Sequence, residues 1–382
     1  MKIIHTADWH IGKIVNEHPL IEDQAAILED WLNQTIALAP DLVIMAGDLY
    51  DRTLPSRDAV QLANQLLTRM TRELNCPICI ISGNHDAGER VAYANDILAN
   101  QGLYMIGLPT QEIAKVSTEE ADIYLLPFSD HLTLKRIYPD ETIHSIEDAT
   151  RVQVKAIKEQ WDQSRLNIVL YHGYVTASSM ANPGEDLEKS KSERPLSIGT
   201  SEYVPTNVFE GFDYVALGHL HGSQKVGSER IRYSGSPLKF SKSEVNHHKG
   251  FLEIDLDKAN DSIEVTKHEL VPKIDMRVIR GEFEDLLAGS SDDYIFFELT
   301  DEFTQHEAMN RLKQRYPNAM SLEYTALKNE QSINHTAERK VFQEKPVWDQ
   351  FGDFYEANTA KELSEYQTTI VQDVFKEILK ED

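Results

Sequence analysis

Apolar residues in the first part of the chain follow two alternating patterns. Short continuous apolar runs predict strands that are buried on both faces, whereas apolar residues spaced three and four apart predict amphipathic helices. The runs that predict buried strands are Lys2 to Thr6, Leu42 to Ala46, Ile78 to Ser82, Asn167 to Tyr171 and Tyr214 to Leu217. Amphipathic helices are predicted at about Leu20 to Ala39 and Arg57 to Leu74. This alternation of strands and helices indicates a layered α/β fold.

Later in the chain the predicted strands follow one another more closely. Strands near Arg230 to Ser234, Gly250 to Asp255 and Ser262 to Glu269 are separated by short polar stretches, which is typical of a sheet finished by hairpins. A sandwich of two sheets flanked by helices accommodates both parts of the pattern. We therefore expect an α/β sandwich of this kind.

The pattern restarts after Val271 and Pro272, which indicates a domain boundary. The predicted elements beyond it are strands at Arg277 to Gly281, Tyr294 to Leu299 and Ser321 to Thr325, and a helix at Thr304 to Arg315. They form a small α/β module. Residues 328–345 are polar and poor in large apolar side chains, so they are predicted to be a linker. The expected segments are therefore 1–271, 272–327, 328–345 and 346–382.

Two short amphipathic helices are predicted within residues 346–382. Their apolar residues at helical spacing are Val347, Trp348, Phe351, Phe354 and Tyr355 in the first, and Leu363, Tyr366, Ile370, Val374 and Ile378 in the second. Helices of this length are too small to bury each other fully. The pair either folds back on its own domain or lays its apolar face into a groove or coiled coil of a partner. The spacing alone does not choose between the two.

Composition is that of a large globular chain without a membrane segment. At 382 residues and 41% hydrophobic content, the chain can bury a sizeable core. No apolar run approaches the roughly twenty residues that a membrane span requires, and the first strand begins too close to Met1 for a removable signal peptide. Cys76 and Cys79 form a lone C-x-x-C at the start of an apolar run, so we interpret them as small buried side chains. We therefore expect a cytoplasmic protein.

Each of the five predicted buried strands ends in residues of the types that bind metals. The segments are D-W-H at Asp8 to His10, G-D at Gly47 and Asp48, G-N-H-D at Gly83 to Asp86, H-G at His172 and Gly173, and G-H-L-H at Gly218 to His221. Side chains at such strand ends are held by a rigid sheet but point into the loop layer, where α/β sheets bind ligands. Any one of these motifs alone is more often a solvated loop or a core histidine. Five of them in this order predict one shared site.

The donor set suits a pair of divalent ions. Two cations about 3.5–4 Å apart need roughly seven or eight protein donors, a bridging carboxylate, and the mixed nitrogen and oxygen ligands that suit Mn, Fe or Zn. The candidate ligands are Asp8, His10, Asp48, Asn84, His172, His219 and His221. Two such ions that share a water lower its pKa enough to supply hydroxide near neutral pH. This chemistry predicts a phosphoesterase.

The order of these ligands and their glycines resembles the calcineurin-like metallophosphoesterase superfamily over about residues 1–270. The resemblance implies a four-layer sandwich, in which two mixed sheets are flanked by helices. It also implies how the ligands divide. One ion is expected to bind Asp8, His10, Asp48 and His221, and the other Asp48, Asn84, His172 and His219, so that Asp48 bridges the two ions.

His85 follows the ligand Asn84 but is not itself expected to bind metal. An imidazole near its own pKa suits proton transfer at pH 7, so His85 is the candidate that stabilises charge or protonates the leaving group. The alternative is a histidine that only orients Asn84. Asp51 and Asp86 are interpreted as solvated loop carboxylates, and the alternative is that they orient neighbouring histidines or bind the substrate side of the site.

Motifs beyond the ligands narrow the resemblance to the nuclease subunits of bacterial DNA-repair complexes. They are H-T-A-D-W-H-I-G at His5 to Gly12, G-D-L-Y-D-R at Gly47 to Arg52, S-E-R-P-L-S-I-G at Ser192 to Gly199, and A-L-G-H-L-H at Ala216 to His221. This resemblance covers essentially the full chain. It implies a DNA exonuclease and hairpin-opening endonuclease that acts on double-stranded ends, usually activated by Mn, with Mg, Fe or Zn as alternatives.

The same resemblance implies two protein partners. A coiled-coil ATPase is expected to meet the terminal helices, and a second copy of this chain is expected to form a homodimer through helices near the beginning of the first domain. Residues 272–327 are expected to form a capping domain that binds DNA. The residues expected to contact the ATPase are Trp348, Phe351, Phe354, Tyr355, Ile370 and Val374.

A formal net charge of −25 is unusual for a protein that acts on nucleic acid, because phosphate binding normally needs basic surface. Either the ions and a local patch hold the DNA, or a partner supplies most of the affinity. Arg194 is interpreted either as a local pair with Glu193 or as a contact to DNA or the ATPase.

Two other function classes stay open. One is a hydrolase of nucleotides or phosphoproteins that does not need residues beyond Val271, and the other is a scaffold, which the complete ligand set disfavours.

Overall fold

The computed structural model describes residues 1–178, 182–193, 196, 202–325, 351, 355 and 363–378. The chain divides into two compact units. The first consists of Met1–Val278, Asp292–Phe296 and Asn318–Met320, and the second of Ile279–Ser291, Phe297–Pro317 and Ser321–Asp382. Among the residues described, no helix is both long enough and apolar enough to cross a membrane.

The strands and helices alternate in the first part of the chain, as the apolar pattern predicts. The strands are β1 (Lys2–Thr6), β2 (Ile14–Val15), β3 (His18–Pro19), β4 (Leu42–Ala46), β5 (Ile78–Ile81), β6 (Leu103–Ile106), β7 (Ala114–Ser117), β8 (Ala121–Leu126), β9 (Leu166–His172), β10 (Tyr174–Thr176), β11 (Tyr203–Pro205), β12 (Tyr214–Gly218), β13 (Gln224–Val226), β14 (Ser228–Tyr233), β15 (Gly250–Asp257), β16 (Ser262–Glu269), β17 (Met276–Gly281), β18 (Tyr294–Leu299) and β19 (Ala319–Tyr324). The helices are α1 (Ile21–Leu38), α2 (Arg57–Glu73), α3 (Gly88–Val91), α4 (Asn95–Ala99), α5 (His131–Ile137), α6 (Ile146–Lys158), α7 (Phe283–Leu287), α8 (Ala308–Lys313) and α9 (Glu365–Ile378).

Two six-stranded sheets form the centre of the first unit. The first has the strand order β16-β15-β1-β4-β5-β6, and the second has the order β13-β14-β12-β9-β8-β7. In the first sheet, β1, β4, β5 and β6 are parallel, while β15 and β16 complete it as an antiparallel hairpin. In the second, β8, β9, β12 and β14 are parallel, with β7 and β13 antiparallel at the edges. Both sheets are therefore mixed.

Apolar side chains fill the space on both faces of each sheet. Between the sheets, Ile44 of β4 belongs to the same buried cluster as Ile168 of β9. On the opposite face of the first sheet, Met45 packs in a cluster with residues of α1 and α2, and Val169 of the second sheet packs with residues of α6. Successive residues of one strand thus enter different layers, as strand geometry requires. The predicted four-layer sandwich is confirmed.

The central strands were predicted to within one or two residues of their observed ends, but the helix predicted at Thr304 to Arg315 was too long. The observed helix, α8, begins at Ala308, because Glu307 before it has a left-handed backbone with φ of 49°. An L-residue in that region interrupts a right-handed helix. Of the two cysteines, Cys79 is buried as expected, and Cys76 is only partly so.

The terminal helix pair lies only partly within the described residues. The predicted linker 328–345, and Trp348 and Phe354, lie outside them. Phe351 and Tyr355 are described and helical, and the ring of Phe351 lies 6.3 Å from that of Phe375 on α9. The two predicted helices therefore touch each other.

We expect Trp31→Ala to destabilise the first unit by about 3–5 kcal/mol, because removal of a buried aromatic side chain leaves a cavity. Trp31 is fully buried, and its ring lies 4.9 Å from that of Trp9. Urea unfolding followed by circular dichroism measures the change. The matched control is Val60→Ala at a position on α2 that is 45% exposed, for which a change of no more than about 0.5 kcal/mol is expected. Equal changes in the two variants would contradict the packing described here.

Candidate metal centre

All seven predicted ligands lie where a central strand ends. Asp8 and His10 follow β1, Asp48 follows β4, and Asn84 follows β5 in the first sheet. In the second sheet, His172 is the last residue of β9, and His219 and His221 follow β12. Because parallel strands present their carboxyl ends at one edge, the two sheets bring the seven side chains together.

The side chains form two groups of closely spaced donor atoms. Asp8, His10 and His221 make up one group, and Asp48, His172 and His219 make up the other. In the first group the Nε2 atoms of His10 and His221 are 3.1 Å apart. Asn84 joins the second group, since its Oδ1 atom lies 2.9 Å from Nε2 of His172 and 3.1 Å from Nδ1 of His219.

Asp48 faces both groups with the same oxygen. Its Oδ2 atom lies 3.5 Å from Nε2 of His10 and 3.4 Å from Nε2 of His172. Ligand bonds to first-row divalent metals are about 2.0–2.2 Å long, so neighbouring ligands of one ion are separated by about 3 Å. The spacing and the mixture of nitrogen and oxygen atoms therefore fit a pair of divalent ions that share Asp48.

Burial shifts the pKa of several groups in this cluster. Burial lowers the pKa of His10 and of His219 well below the ordinary value for histidine, so both imidazoles are neutral and have a lone pair available. It also raises the pKa of Asp8 well above the ordinary value for a carboxyl group. Against desolvation, the charge of Asp48 raises the pKa of His172 to about 9, so without metal this imidazolium is the cation that a divalent ion would replace.

The backbone is strained at the ligands. The predicted ligands with positive φ are Asp8 at 55°, His10 at 45°, Asp48 at 54° and His219 at 105°. Each such conformation costs about 1–3 kcal/mol and persists only where the surrounding structure holds it. Backbone hydrogen bonds from Asp8 to Gly47 and from His10 to Asp48, both 3.0 Å long, hold these turns.

Two glycines leave room for the side chains of Asp48 and His172. Gly47 has φ of 96°, and a Cβ atom there would lie 2.3 Å from Nδ1 of His172. A Cβ atom on Gly83 would lie 2.2 Å from Oδ1 of Asp48. Both positions therefore exclude any larger side chain while Asp48 and His172 keep their places.

His85 is buried beside the first group of donors. Its ring lies 4.6 Å from that of His10. Its backbone N–H donates to Oδ1 of Asp48 at 2.8 Å, and Nδ1 lies 2.8 Å from the carbonyl oxygen of Asp51. A carbonyl can only accept, so Nδ1 carries the proton and Nε2 is the atom free for chemistry. His85 contacts Asp48 rather than Asn84 in these hydrogen bonds.

The interpretation of Asp51 and Asp86 as solvated loop carboxylates was wrong, since both are buried. Asp86 accepts backbone N–H groups of Leu49, Tyr50 and Gly83 at 2.9–3.1 Å, so it joins the loops after β4 and β5. Burial raises its pKa to about 7. Asp51 accepts a hydrogen bond of 2.8 Å from Nζ of Lys13.

Several residues around the centre were not predicted to belong to it. Ser192 and Glu244 lie next to the outer nitrogen of His221, and Lys249 pairs with Glu244. Ser192 belongs to the S-E-R-P-L-S-I-G segment, which was noted without a role at the metals. Arg194 of that segment lies outside the described residues.

Comparison with known proteins gives the class to which this fold and centre belong. A sequence model of the family described as calcineurin-like phosphoesterase matches residues 1–223, and the chain belongs to this family. Within the family, the chain is similar over its whole length to the SbcD subunit of the nuclease SbcCD from Staphylococcus epidermidis, with 33% identity over 384 aligned positions that cover 99% of both sequences. Residues 272–359 match a second model, described as the type 5 capsule protein repressor C-terminal domain.

Two solved structures are also similar to the chain. A dimetal phosphatase from Danio rerio has 12% identity and a TM-score of 0.45, with 71% of this chain and 96% of that chain covered. A protein from Thermus thermophilus has 13% identity and a TM-score of 0.36, with 70% and 98% covered. Both likenesses are weaker than the match to the Staphylococcus epidermidis protein, which carries the assignment. The predicted family and enzyme class, a metal-dependent phosphodiesterase, are confirmed.

We expect Gly83→Ala to lower the affinity for divalent metal at least about tenfold, because the new Cβ atom displaces the carboxylate that both donor groups share. Inductively coupled plasma mass spectrometry after dialysis against Mn measures the bound metal per chain. The matched control is Gly102→Ala, where φ is 76° but the nearest contact of a Cβ atom is 4.0 Å. That variant strains the backbone by about 1 kcal/mol or more and should keep its metal. Normal metal content in Gly83→Ala would count against the shared role of Asp48.

Proposed function

We propose that this chain is the nuclease subunit of an ATP-regulated complex that processes double-stranded DNA ends and opens hairpins. The observation that carries the proposal is the full-length similarity to an SbcCD nuclease subunit, combined with the two donor groups around Asp48. The SbcCD name implies a second subunit, SbcC, as the ATPase partner.

Two ion positions are part of the proposal. The first ion position consists of Asp8, His10, Asp48 and His221, and the second ion position consists of Asp48, Asn84, His172 and His219. The donor spacing and the burial of these side chains support this division. Manganese is proposed as the ion, and the nitrogen and oxygen donors are equally suited to Fe or Zn.

The bound ions supply an activated water and neutralise charge on the scissile phosphate. His85 supplies the proton. Its Nδ1–H bond to the carbonyl of Asp51 fixes the ring so that Nε2 faces away from that carbonyl. Protonated at Nε2, the ring gives its proton to the leaving oxygen as the phosphodiester breaks. Its place beside His10 supports this role over that of a residue that orients Asn84.

The proposed segments are the nuclease domain 1–271, the DNA-binding capping domain 272–327, the linker 328–345 and the ATPase-binding helix pair 346–382. The second family model, which begins at residue 272, supports the first boundary. On α9, Tyr366, Ile370 and Val374 are 77%, 45% and 47% exposed, so an apolar surface is available to a coiled coil. Phe351 and Tyr355 are proposed to extend that surface.

A homodimer is proposed through the region of α3 and α4. Tyr93 and Ile97 are 80% and 70% exposed there, and Leu108 beside Gly88 is 48% exposed. Large apolar side chains grouped on a surface are typical of protein contacts. A cytoplasmic location stays a prediction.

We expect His85→Gln to lower the cutting of a hairpin-ended duplex about 10²- to 10⁴-fold in the presence of Mn and the SbcC-type partner, because the proton donor is lost. Bound metal should stay unchanged, since His85 is not a proposed ligand. The control is His248→Gln, whose side chain is 82% exposed. Brisk hydrolysis of a small phosphodiester by the native chain, with no cutting of DNA in any combination, would favour a phosphoesterase that acts alone.

We expect the double variant Ile370→Asp with Val374→Asp to lose ATP-stimulated cutting, because two charges on the apolar surface of α9 oppose its burial against the partner. Hydrolysis of a small phosphodiester by the same variant should stay within about twofold of the native value. The control is Thr369→Asp, which adds a charge at an exposed position of the same helix. Co-purification with the ATPase and cutting assays with ATP give the two measurements. Full ATP-stimulated cutting in the double variant would exclude this surface as the partner site.

A further inference from the structure

A buried ion pair lies directly behind His221. Glu244 and Lys249 are 0% and 5% exposed, and Nζ of Lys249 lies 2.6 Å from Oε2 of Glu244. Nζ also donates to the carbonyl oxygen of His221 and to Oγ of Ser236, both at 2.9 Å. An ammonium group has three protons, and here each has an acceptor. Lys249 is therefore held in its charged form next to the backbone of His221.

The other oxygen of Glu244 faces a set of serine hydroxyl groups. Oε1 accepts from Oγ of Ser241 at 3.1 Å and from Oγ of Ser192 through a short hydrogen bond. The ammonium group of Lys249, 2.6 Å from Oε2, neutralises the charge of Glu244 in this buried position. Glu244 is therefore a carboxylate that can only accept hydrogen bonds.

This arrangement selects one tautomer of His221. Oγ of Ser192 lies 2.8 Å from Nδ1 of His221. Because the hydroxyl proton of Ser192 points to the carboxylate of Glu244, its oxygen is left to accept a proton from Nδ1. The lone pair then lies on Nε2, which is the atom 3.1 Å from Nε2 of His10. His221 thus presents an unprotonated nitrogen to the first ion position.

The backbone of His221 is fixed by the same loop. Oε1 of Glu193 accepts the backbone N–H of His221 at 2.8 Å, and Oε2 accepts the backbone N–H of Ser190 at 2.9 Å. Ser192 and Glu193 are neighbours in sequence, so one short segment holds both the ring and the main chain of His221.

We infer that Ser192, Glu244 and Lys249 form a positioning set for His221, with Ser192 as the link that sets its tautomer and ring orientation for the ion. The inference rests on the proposed function, since it needs His221 to be a ligand of the first ion position. A carboxylate that orients a ligating histidine through its second nitrogen raises the strength of that ligand. Here Glu244 lies 3.4 Å from Nδ1 itself, and the hydroxyl group of Ser192 makes the shorter contact at 2.8 Å.

An ion pair that only stabilised the fold would not need to contact His221. A buried pair adds little net stability compared with apolar side chains of similar volume, because desolvation offsets the attraction between the charges. Here Nζ of Lys249 donates to the carbonyl oxygen of His221, and Oε1 of Glu244 lies 3.4 Å from Nδ1 of the same residue. Their position behind His221 is what a positioning role requires.

The experiment is a calorimetric titration of Mn into the metal-free full chain. The native protein should bind two equivalents. Ser192→Ala should weaken one equivalent about tenfold to a hundredfold and leave the other within about twofold, because the positioning set touches only one of the two ion positions. Ser192→Thr keeps the hydroxyl group and should restore the native affinity.

The matched control is Ser241→Ala. It removes a hydroxyl group from the same oxygen of Glu244, but that group is not a hydrogen-bond partner of His221. Both equivalents should bind as in the native chain. Thermal unfolding without metal, measured for each variant, separates a lost ligand from a lost fold. A misfolded Ser192→Ala variant is replaced by Ser192→Cys, which keeps the volume but weakens the link.

A second measurement reports on the tautomer itself. Long-range ¹⁵N–¹H correlation spectra of histidine-labelled, metal-free chain, assigned with His221→Gln, should show the proton of His221 on Nδ1 in the native protein. In Ser192→Ala that preference should fall. Unchanged metal affinity and tautomer in Ser192→Ala would overturn the inference while leaving the two-ion proposal intact. Failure of the native chain to bind two ions would instead overturn the proposed function.

Discussion

The shared oxygen of Asp48 is the contact on which the rest of the centre depends. It can face both donor groups only because the ends of the two sheets approach closely at this edge. A Cβ atom on Gly218 would lie 1.9 Å from the carbonyl oxygen of Ala46, so β12 and the end of β4 are nearly in backbone contact. Nδ1 of His172 donates to the same carbonyl at 2.8 Å. Sheet packing therefore sets the distance between the two groups of ligands.

The close approach of the two sheet ends has a thermodynamic cost, which the packing of the surrounding layers offsets. Left-handed turns at Asp8 and Asp48 are strained, and buried carboxylates lose their hydration. Rigid strands packed on both faces resist relaxation of those turns. Asp8 illustrates the balance, because its carboxylate accepts the backbone N–H of His219 at 2.9 Å and so connects the turns after β1 and β12. The centre is preorganised by the same contacts that join the two sheets.

The sequence alone predicted the parts of this centre that are encoded locally. A predicted ligand such as Asp48 lies just after its strand, so the strand and the candidate ligand appear together in the sequence. Contacts between distant segments were not predictable in the same way. Asp86 is 37 residues from Leu49, and Glu244 is 52 residues from Ser192, and no periodicity connects either pair. The start of α8 was predicted wrongly for another reason. A residue with a left-handed backbone, such as Glu307, has no strong sequence signal when it is not glycine.

The charge of the ions at the site helps to explain how so acidic a chain could bind DNA. A net charge of −25, which includes the acidic groups of the metal-free centre, repels a polyanion at long range. Each divalent ion reverses the local sign where the scissile phosphate must lie. In the proposed function, metal loading and DNA binding are therefore coupled. That proposal implies that the subunit holds DNA at its active site only when its ions are present and takes its affinity along the rest of the duplex from a partner.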